Sequence, residues 1–170
     1  MENIKVNRLN ILKKINIEND HRFGGYFYLI RDKTDSLINS IDIVYEKKSI
    51  EISETNILYL SKIIEFCKSN NVQVYLIRSP LHKKFPGRWN EQEFIQILNS
   101  KFSKIEFLDF KDFPLQNHEF GDLGHLNYRG AKVFSVFFNG LLNSGILNRK
   151  NKLEYINDEI IKFQISRLKP

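Results

Sequence analysis

Val72-Gln73-Val74-Tyr75-Leu76-Ile77 is a run of β-branched and apolar side chains interrupted by a single amide, and its reading decides the fold. It is short for a helix and is bounded by Ser69-Asn70-Asn71 before it and Pro80 after it, which predicts a strand buried on both faces. Upstream, Ser53 can cap a segment that places Ile57, Leu60, Ile64 and Cys67 on one stripe with Ile63 flanking it, predicting a helix over 54–69. Downstream, Pro86-Gly87 marks a turn, and Asn90 with Glu93 has the spacing of a capping box. Phe94, Ile97, Leu98 and Phe102 then recur at helical intervals. A second apolar run, Ile105-Glu106-Phe107-Leu108-Asp109-Phe110, predicts a second strand. Asn127 can cap a further helix that buries Gly130 or Ala131, Phe134, Phe137, Phe138 and Leu141 and stops at Gly145. The order helix, strand, helix, strand, helix predicts an α/β layer, because parallel neighbours need crossovers of this length. Residues 72–77 and 105–110 are expected side by side and parallel, with binding groups gathered in the loops after them, at 78–89 and 111–127.

The ends are less regular. Residues 1–53 are read as an irregular N-terminal segment. Within it Tyr26-Phe27-Tyr28-Leu29-Ile30 after Gly24-Gly25 suggests a strand or buried segment, while Leu37, Ile38, Ile41, Ile43 and Tyr45 suit a helix or a strand equally. Residues 54–148 form the expected core, and 149–170, with Leu153, Ile156, Ile160, Ile161 and Phe163, a C-terminal tail helix.

A chain of 170 residues with 42% hydrophobic content can bury one ordinary core. The 26 Lys and Arg against 20 Asp and Glu leave a charge of +6, which raises nucleic acid as a partner. The lysines are scattered, with Lys13-Lys14, Lys47-Lys48 and Lys83-Lys84 far apart, so a solvated surface is expected and no nucleic-acid interface. Cys67, the single cysteine, falls on the apolar side of a helix and is read as a small buried hydrophobe. The N-terminal residues lack the continuous apolar run of a signal peptide and no stretch reaches ~18 apolar residues, so a cytoplasmic protein without a membrane partner is expected.

The chemistry concentrates in Glu119-Phe120-Gly121-Asp122-Leu123-Gly124-His125-Leu126-Asn127-Tyr128-Arg129-Gly130-Ala131. An aspartate three residues before a histidine can accept the Nδ1 proton across a tight turn, leaving Nε2 as a general base. His118, Glu119, Asp122 and His125 also have metal-ligand chemistry, but Gly121 and Gly124 argue against the continuous helix that would gather them, so no metal site is expected. Trp89 is read as core or pocket wall.

The run Asp122-x-x-His125-Leu126-Asn127 with Gly130-Ala131 after it, preceded by Glu54 to Leu60, Ile63-Ile64 and the strand that leads into Ser79-Pro80-Leu81-His82, resembles the C-terminal portion of SGNH (GDSL-type) hydrolases. The resemblance spans about residues 54–142. It implies a three-layer, flavodoxin-like parallel sheet, incomplete here at its N-terminal side, and ester hydrolysis or acyl transfer on an acylated carbohydrate or lipid ester, with no cofactor. In that chemistry a serine attacks, His125 takes its proton and Asp122 orients His125. The family's Gly-Asp-Ser block does not occur. Thr34-Asp35-Ser36-Leu37 is the nearest likeness, without the glycine, and the interval from Ser36 to Asp122 is short for the intervening units; Ser36 is the candidate nucleophile on those terms. Ser79 and His82 are candidates to line a pocket, Ser79 with the alternative of capping the turn before Pro80 and His82 with that of an exposed loop residue. The expectation is an acid and base pair that is inactive alone, through truncation, a missing half in another chain, self-association, or conversion to a carbohydrate- or partner-binding module.

Overall fold

In the computed structural model, which describes residues 22–23, 26–27, 31–40 and 52–168, the two apolar runs pair in parallel. β3 (Tyr75–Arg78) lies beside β4 (Glu106–Asp109), with Tyr75 opposite Glu106, Leu76 opposite Phe107, Ile77 opposite Leu108 and Arg78 opposite Asp109. Two short strands precede them, β1 (Arg22–Phe23) and β2 (Tyr26–Phe27), paired antiparallel. The helices are α1 (Thr34–Ser40), α2 (Glu54–Ser69), α3 (Glu91–Lys101), α4 (Tyr128–Asn143) and α5 (Lys152–Leu168). The described residues therefore form a mixed α/β structure, mostly helical, around one two-stranded parallel sheet. Ile41, Ile43, Tyr45 and the side chain of Trp89 lie outside the described residues.

β3 starts later than the run at 72–77, whose first residue serves the preceding helix. Ser53 caps α2 as expected, accepting from the Asn56 N–H at 3.2 Å. At the other end Asn70 and Val72 both donate to the Cys67 carbonyl, at 3.1 and 2.8 Å, and Asn71 takes a left-handed conformation with φ 56. Asn tolerates that region better than most side chains. With its N–H used by the helix end, Val72 has no ladder bond to give, and pairing begins at Tyr75.

Alternation along β4 sends Phe107 to one side and Leu108 to the other. Leu108 and Phe110, each 1% exposed, join Leu141, Ile146 and Ile156 in the main core. The Phe110 ring lies 5.2 Å from Phe134 and 5.6 Å from Phe138, and Phe113 stacks on Phe163 of α5 at 4.8 Å. α5 is thus a wall of this core. On the opposite side Phe107 meets Phe94 of α3 at 5.7 Å, and a groove of about 450 Å³ is lined by Ile57 and Leu60 of α2, Leu76, Phe94 and Phe107.

Three expectations are corrected. Ile77 is 48% exposed, so β3 is not buried on both faces. Asn90 makes no cap bond, because residues Pro86–Asn90 form a 3₁₀ turn that runs straight into α3 and Asn90 already has a turn-like backbone. The capping box forms instead at Gln116 and Glu119, where Gln116 N–H donates to the Glu119 carboxylate at 2.6 Å. Cys67 is only half-buried. Asn127 and Gly145 act as read: the first caps α4, the second has φ 75 just after it. No helix among the described residues is long and apolar enough to cross a membrane.

The contrast between the in-register partners Leu108, which is buried, and Ile77, which is exposed, is measurable. Leu108→Ala should cost about 3 kcal/mol, in the range for a filled core position, whereas Ile77→Thr should cost under ~1 kcal/mol; urea denaturation of both variants checks the assignment.

Candidate functional site

The turn that carries Asp122 and His125 is built by backbone bonds closing on themselves. Phe120 and Leu126 form an isolated antiparallel bridge, and Gly121 N–H donates to the His125 carbonyl at 2.8 Å. Inside it, Asp122 Oδ1 accepts from the Gly124 N–H at 2.8 Å, a bond two residues on that favours a turn over a helix. Gly124 packs closely under the Phe85 ring, which an added Cβ would approach to 3.0 Å. Asn127, 1% exposed, secures the exit. Its oxygen accepts from the N–H groups of Arg129 and Gly130 at 2.9 and 3.2 Å, and its amide donates to the carbonyls of His118 and Phe120 at 2.8 and 3.2 Å. Gly130 lets α4 close onto the loop, because a Cβ there would run into the Glu119 carbonyl.

Within this frame Asp122 Oδ1 lies 2.8 Å from His125 Nδ1, the pairing expected from their spacing. Arg31 approaches the other oxygen at 3.2 Å. Burial alone would raise the Asp122 carboxyl, but the hydrogen bonds from His125 and the Gly124 N–H, with the charge of Arg31, outweigh it and hold the group below its ordinary value. An ionised carboxylate only accepts, so Nδ1 carries the proton and, in the neutral ring, Nε2 bears the lone pair. His125 is 74% exposed at its side chain, which places that lone pair within reach of solvent or a ligand. The arrangement can accept a proton from a hydroxyl and return it.

Ser36 is brought to this loop but not joined to His125. α1 docks through three bonds: Lys33 N–H to the Gly121 carbonyl at 3.2 Å, the buried Thr34 hydroxyl to the Phe120 carbonyl at 2.9 Å, and Asn117 Nδ2 to Asp35 Oδ1 at 3.0 Å. The Ser36 hydroxyl itself donates to the Lys33 carbonyl at 2.9 Å. Ser79 is exposed at the end of β3 and borders the apolar groove over the sheet, away from the turn. His82 is 8% exposed, contrary to the reading of an exposed loop residue. Its Nδ1 accepts from the Lys84 N–H at 3.1 Å, so the opposite nitrogen, 3.2 Å from Asn117 Oδ1, is the donor. The His82 N–H reaches the Leu123 carbonyl at 3.1 Å, which ties the 80s loop to the Asp122 turn.

Two charged groupings lie outside the candidate site residues singled out from the sequence. At the carboxyl ends of the strands Arg78 bonds Asp109, and Glu91 at 2.8 and 2.9 Å, while Lys111 reaches Glu91 at 2.7 Å. The Arg78 guanidinium lies 4.6 Å from the centre of the Phe94 ring. Residue types at two strand ends could have suggested the Arg78 and Asp109 pair, since parallel register puts them together. The second is Glu119, 3% exposed, held by Arg167 of α5 through two bonds of 3.0 Å; a lone acid and a lone arginine 48 positions apart offer nothing to read. Among the described residues no group of three or more His, Cys, Asp or Glu could hold a metal ion.

A model of an uncharacterised family matches residues 18–147. That is more than half of the chain, and the chain belongs to this family. No curated protein and no solved structure matches it.

The Glu91 carboxyl is pushed down to about 2, chiefly by its hydrogen bonds from Arg78. Its contribution to stability is therefore complete above its unfolded value near 4.5 and is lost as pH falls through 2. Acid unfolding of Glu91→Gln should show a shallower loss of stability across that window than the parent chain, followed by circular dichroism. Arg167→Ala should cost about 3 kcal/mol, the lower end for a broken buried pair because the arginine is 30% exposed, and Glu119→Gln added to it should recover part of the loss in the same denaturation assay.

Proposed function

We propose that Asp122 and His125 are the acid and base of an SGNH-like ester hydrolase or acyltransferase, and that the chain alone does not turn over. The carrying observation is the 2.8 Å contact between Asp122 Oδ1 and His125 Nδ1 with the ring held open to solvent. A base oriented in this way lacks most of its effect without a nucleophile and oxyanion donors. Both candidate serines support that reading: the Ser36 hydroxyl is spent on a backbone carbonyl, and Ser79 faces the groove. On this proposal the two-stranded sheet is the C-terminal portion of a three-layer, flavodoxin-like sheet, and the substrate in the completed protein is an acylated carbohydrate or lipid ester. Exposed Leu58, Tyr59, Ile63 and Phe66 on α2, with Ile77, favour completion by a second copy or by a missing N-terminal half. Residence in the cytoplasm belongs to the same proposal.

The second reading, a non-catalytic binding module on this fold, is favoured by the Ser36 hydroxyl, whose partner is the Lys33 carbonyl and not His125. A fluorophosphonate probe separates the two. The expected outcome is no stoichiometric labelling of the purified chain and no hydrolysis of a small aryl acetate. Labelling that maps to Ser36 or Ser79 and disappears in His125→Ala would mark a complete enzyme and overturn the proposal.

A further inference from the structure

Beside the turn lies a polar pocket of about 410 Å³, walled by residues from the 80s loop, the 112–117 segment and Gln164 of α5. Its volume falls in the range of small-molecule sites, ~300–1,000 Å³. Which ligand it suits follows from which of its polar groups are already engaged. Of the five Arg88 N–H groups four are engaged, and one Nη1 hydrogen remains. Its Nε donates to the His82 carbonyl at 3.2 Å, Nη1 to Asp112 at 2.6 Å, and Nη2 to the carbonyls of Leu81 and Lys111, both at 2.8 Å. His82 uses both ring nitrogens, one on the Lys84 N–H and one on Asn117. Asp112 is the carboxylate already paired with Arg88, so the remaining charge is Lys83, which is exposed.

The other polar groups of the pocket are neutral. The Glu119 N–H goes to the Gln116 backbone carbonyl at 2.9 Å, and the exposed Gln116 side chain keeps its amide hydrogens. Asn117 donates once, to Asp35, and keeps a second hydrogen. Gln164 has a whole amide exposed on α5. Half-buried Leu81 and Leu115 add apolar wall between these groups. A strongly anionic ligand would need several free cations in the walls, whereas Arg88 is neutralised by Asp112 and only the exposed Lys83 remains. We infer that this pocket binds a neutral ligand rich in hydroxyl or amide groups, of the kind a sugar ring presents, with the amides of Gln116, Asn117 and Gln164 as its hydrogen-bonding partners.

The pocket shares Asn117 and Phe120 with the supports of the turn and of α1, so a bound ligand sits against the element that carries Ser36. The inference does not rest on ester chemistry: it serves a substrate site and a binding module alike. Gln164 lies on a helix outside the matched family region, and this wall is therefore contributed by the chain's own C-terminal segment.

Titration of the isotope-labelled full chain with N-acetylglucosamine trimer, xylotetraose and maltotetraose, followed by amide resonances, tests it, with glucuronate and inorganic phosphate as charged comparators. At least one neutral sugar is expected to shift the backbone or side-chain amides of Gln116, Asn117 and Gln164. Gln116→Ala and Gln164→Ala, both exposed and not needed for the core, should each weaken that binding about fivefold to tenfold, as loss of one hydrogen bond does. Absence of shifts with all three sugars, a stronger response to phosphate or glucuronate, or shifts confined to the apolar groove would overturn the inference. None of these outcomes bears on the fluorophosphonate result, so the two proposals fail separately.

Discussion

A carboxylate removed from water has to be held by something, and in this protein the Glu119 carboxylate is held on two sides. Its oxygens take the Gln116 N–H and the two arms of Arg167, while its backbone carbonyl receives the Asn127 N–H at 3.2 Å and leaves no room for a side chain at residue 130. The cost of stripping an ion of solvent is several kcal/mol before its partners offset it. Meeting that cost fixes the position of the loop as a whole. Asn117 and Phe120, either side of Glu119, are the points to which α1 and His82 attach. The Asp122 turn then hangs from a segment that is rigid on both flanks, and His125 inherits its orientation from that rigidity.

The sheet contributes less to the candidate site than its topology suggests. In open parallel sheets ligands gather at the carboxyl ends of the strands, but here Arg78, Asp109, Glu91 and Lys111 occupy that place. Two cations and two anions satisfy one another there, with the guanidinium against an aromatic ring. Such a block is well suited to fixing the start of α3 against both strands, and poorly suited to receiving a charged ligand. The exposed chemistry lies to one side of it, in the segment between β4 and α4.

What could be read from residues alone follows the range of the interaction. Ser53, Asn127 and the Asp122 and His125 pair all work within three positions, and each was legible because a short chain segment fixes its own geometry. The parallel pairing of the two apolar runs was legible because burial and crossover length leave few alternatives. The contacts that assemble the site join residues 48, 82 and 86 positions apart, Glu119 with Arg167, Asp35 with Asn117 and Thr34 with Phe120. Polar pairs of that kind leave no periodic trace. Asn90 shows the converse: a local motif of the right spacing is overridden when the chain before it is already coiled into a turn. For His82 the sequence leaves a pocket position and an exposed loop position both open, because nothing nearby announces that Asn117 and the Lys84 N–H will satisfy both of its nitrogens.

The family match stops at residue 147, while the cation that neutralises Glu119 stands at 167 and the ring stacked on Phe113 at 163. The boundary shared with relatives and the boundary of the cooperative folding unit are therefore different lines. Residues 152–168 behave as an internal counter-ion and core wall for a region defined without them, much as a separate subunit would if the chain were cut between the two. Domain limits drawn from the matched segment alone would separate the Glu119 carboxylate from the arginine that holds it.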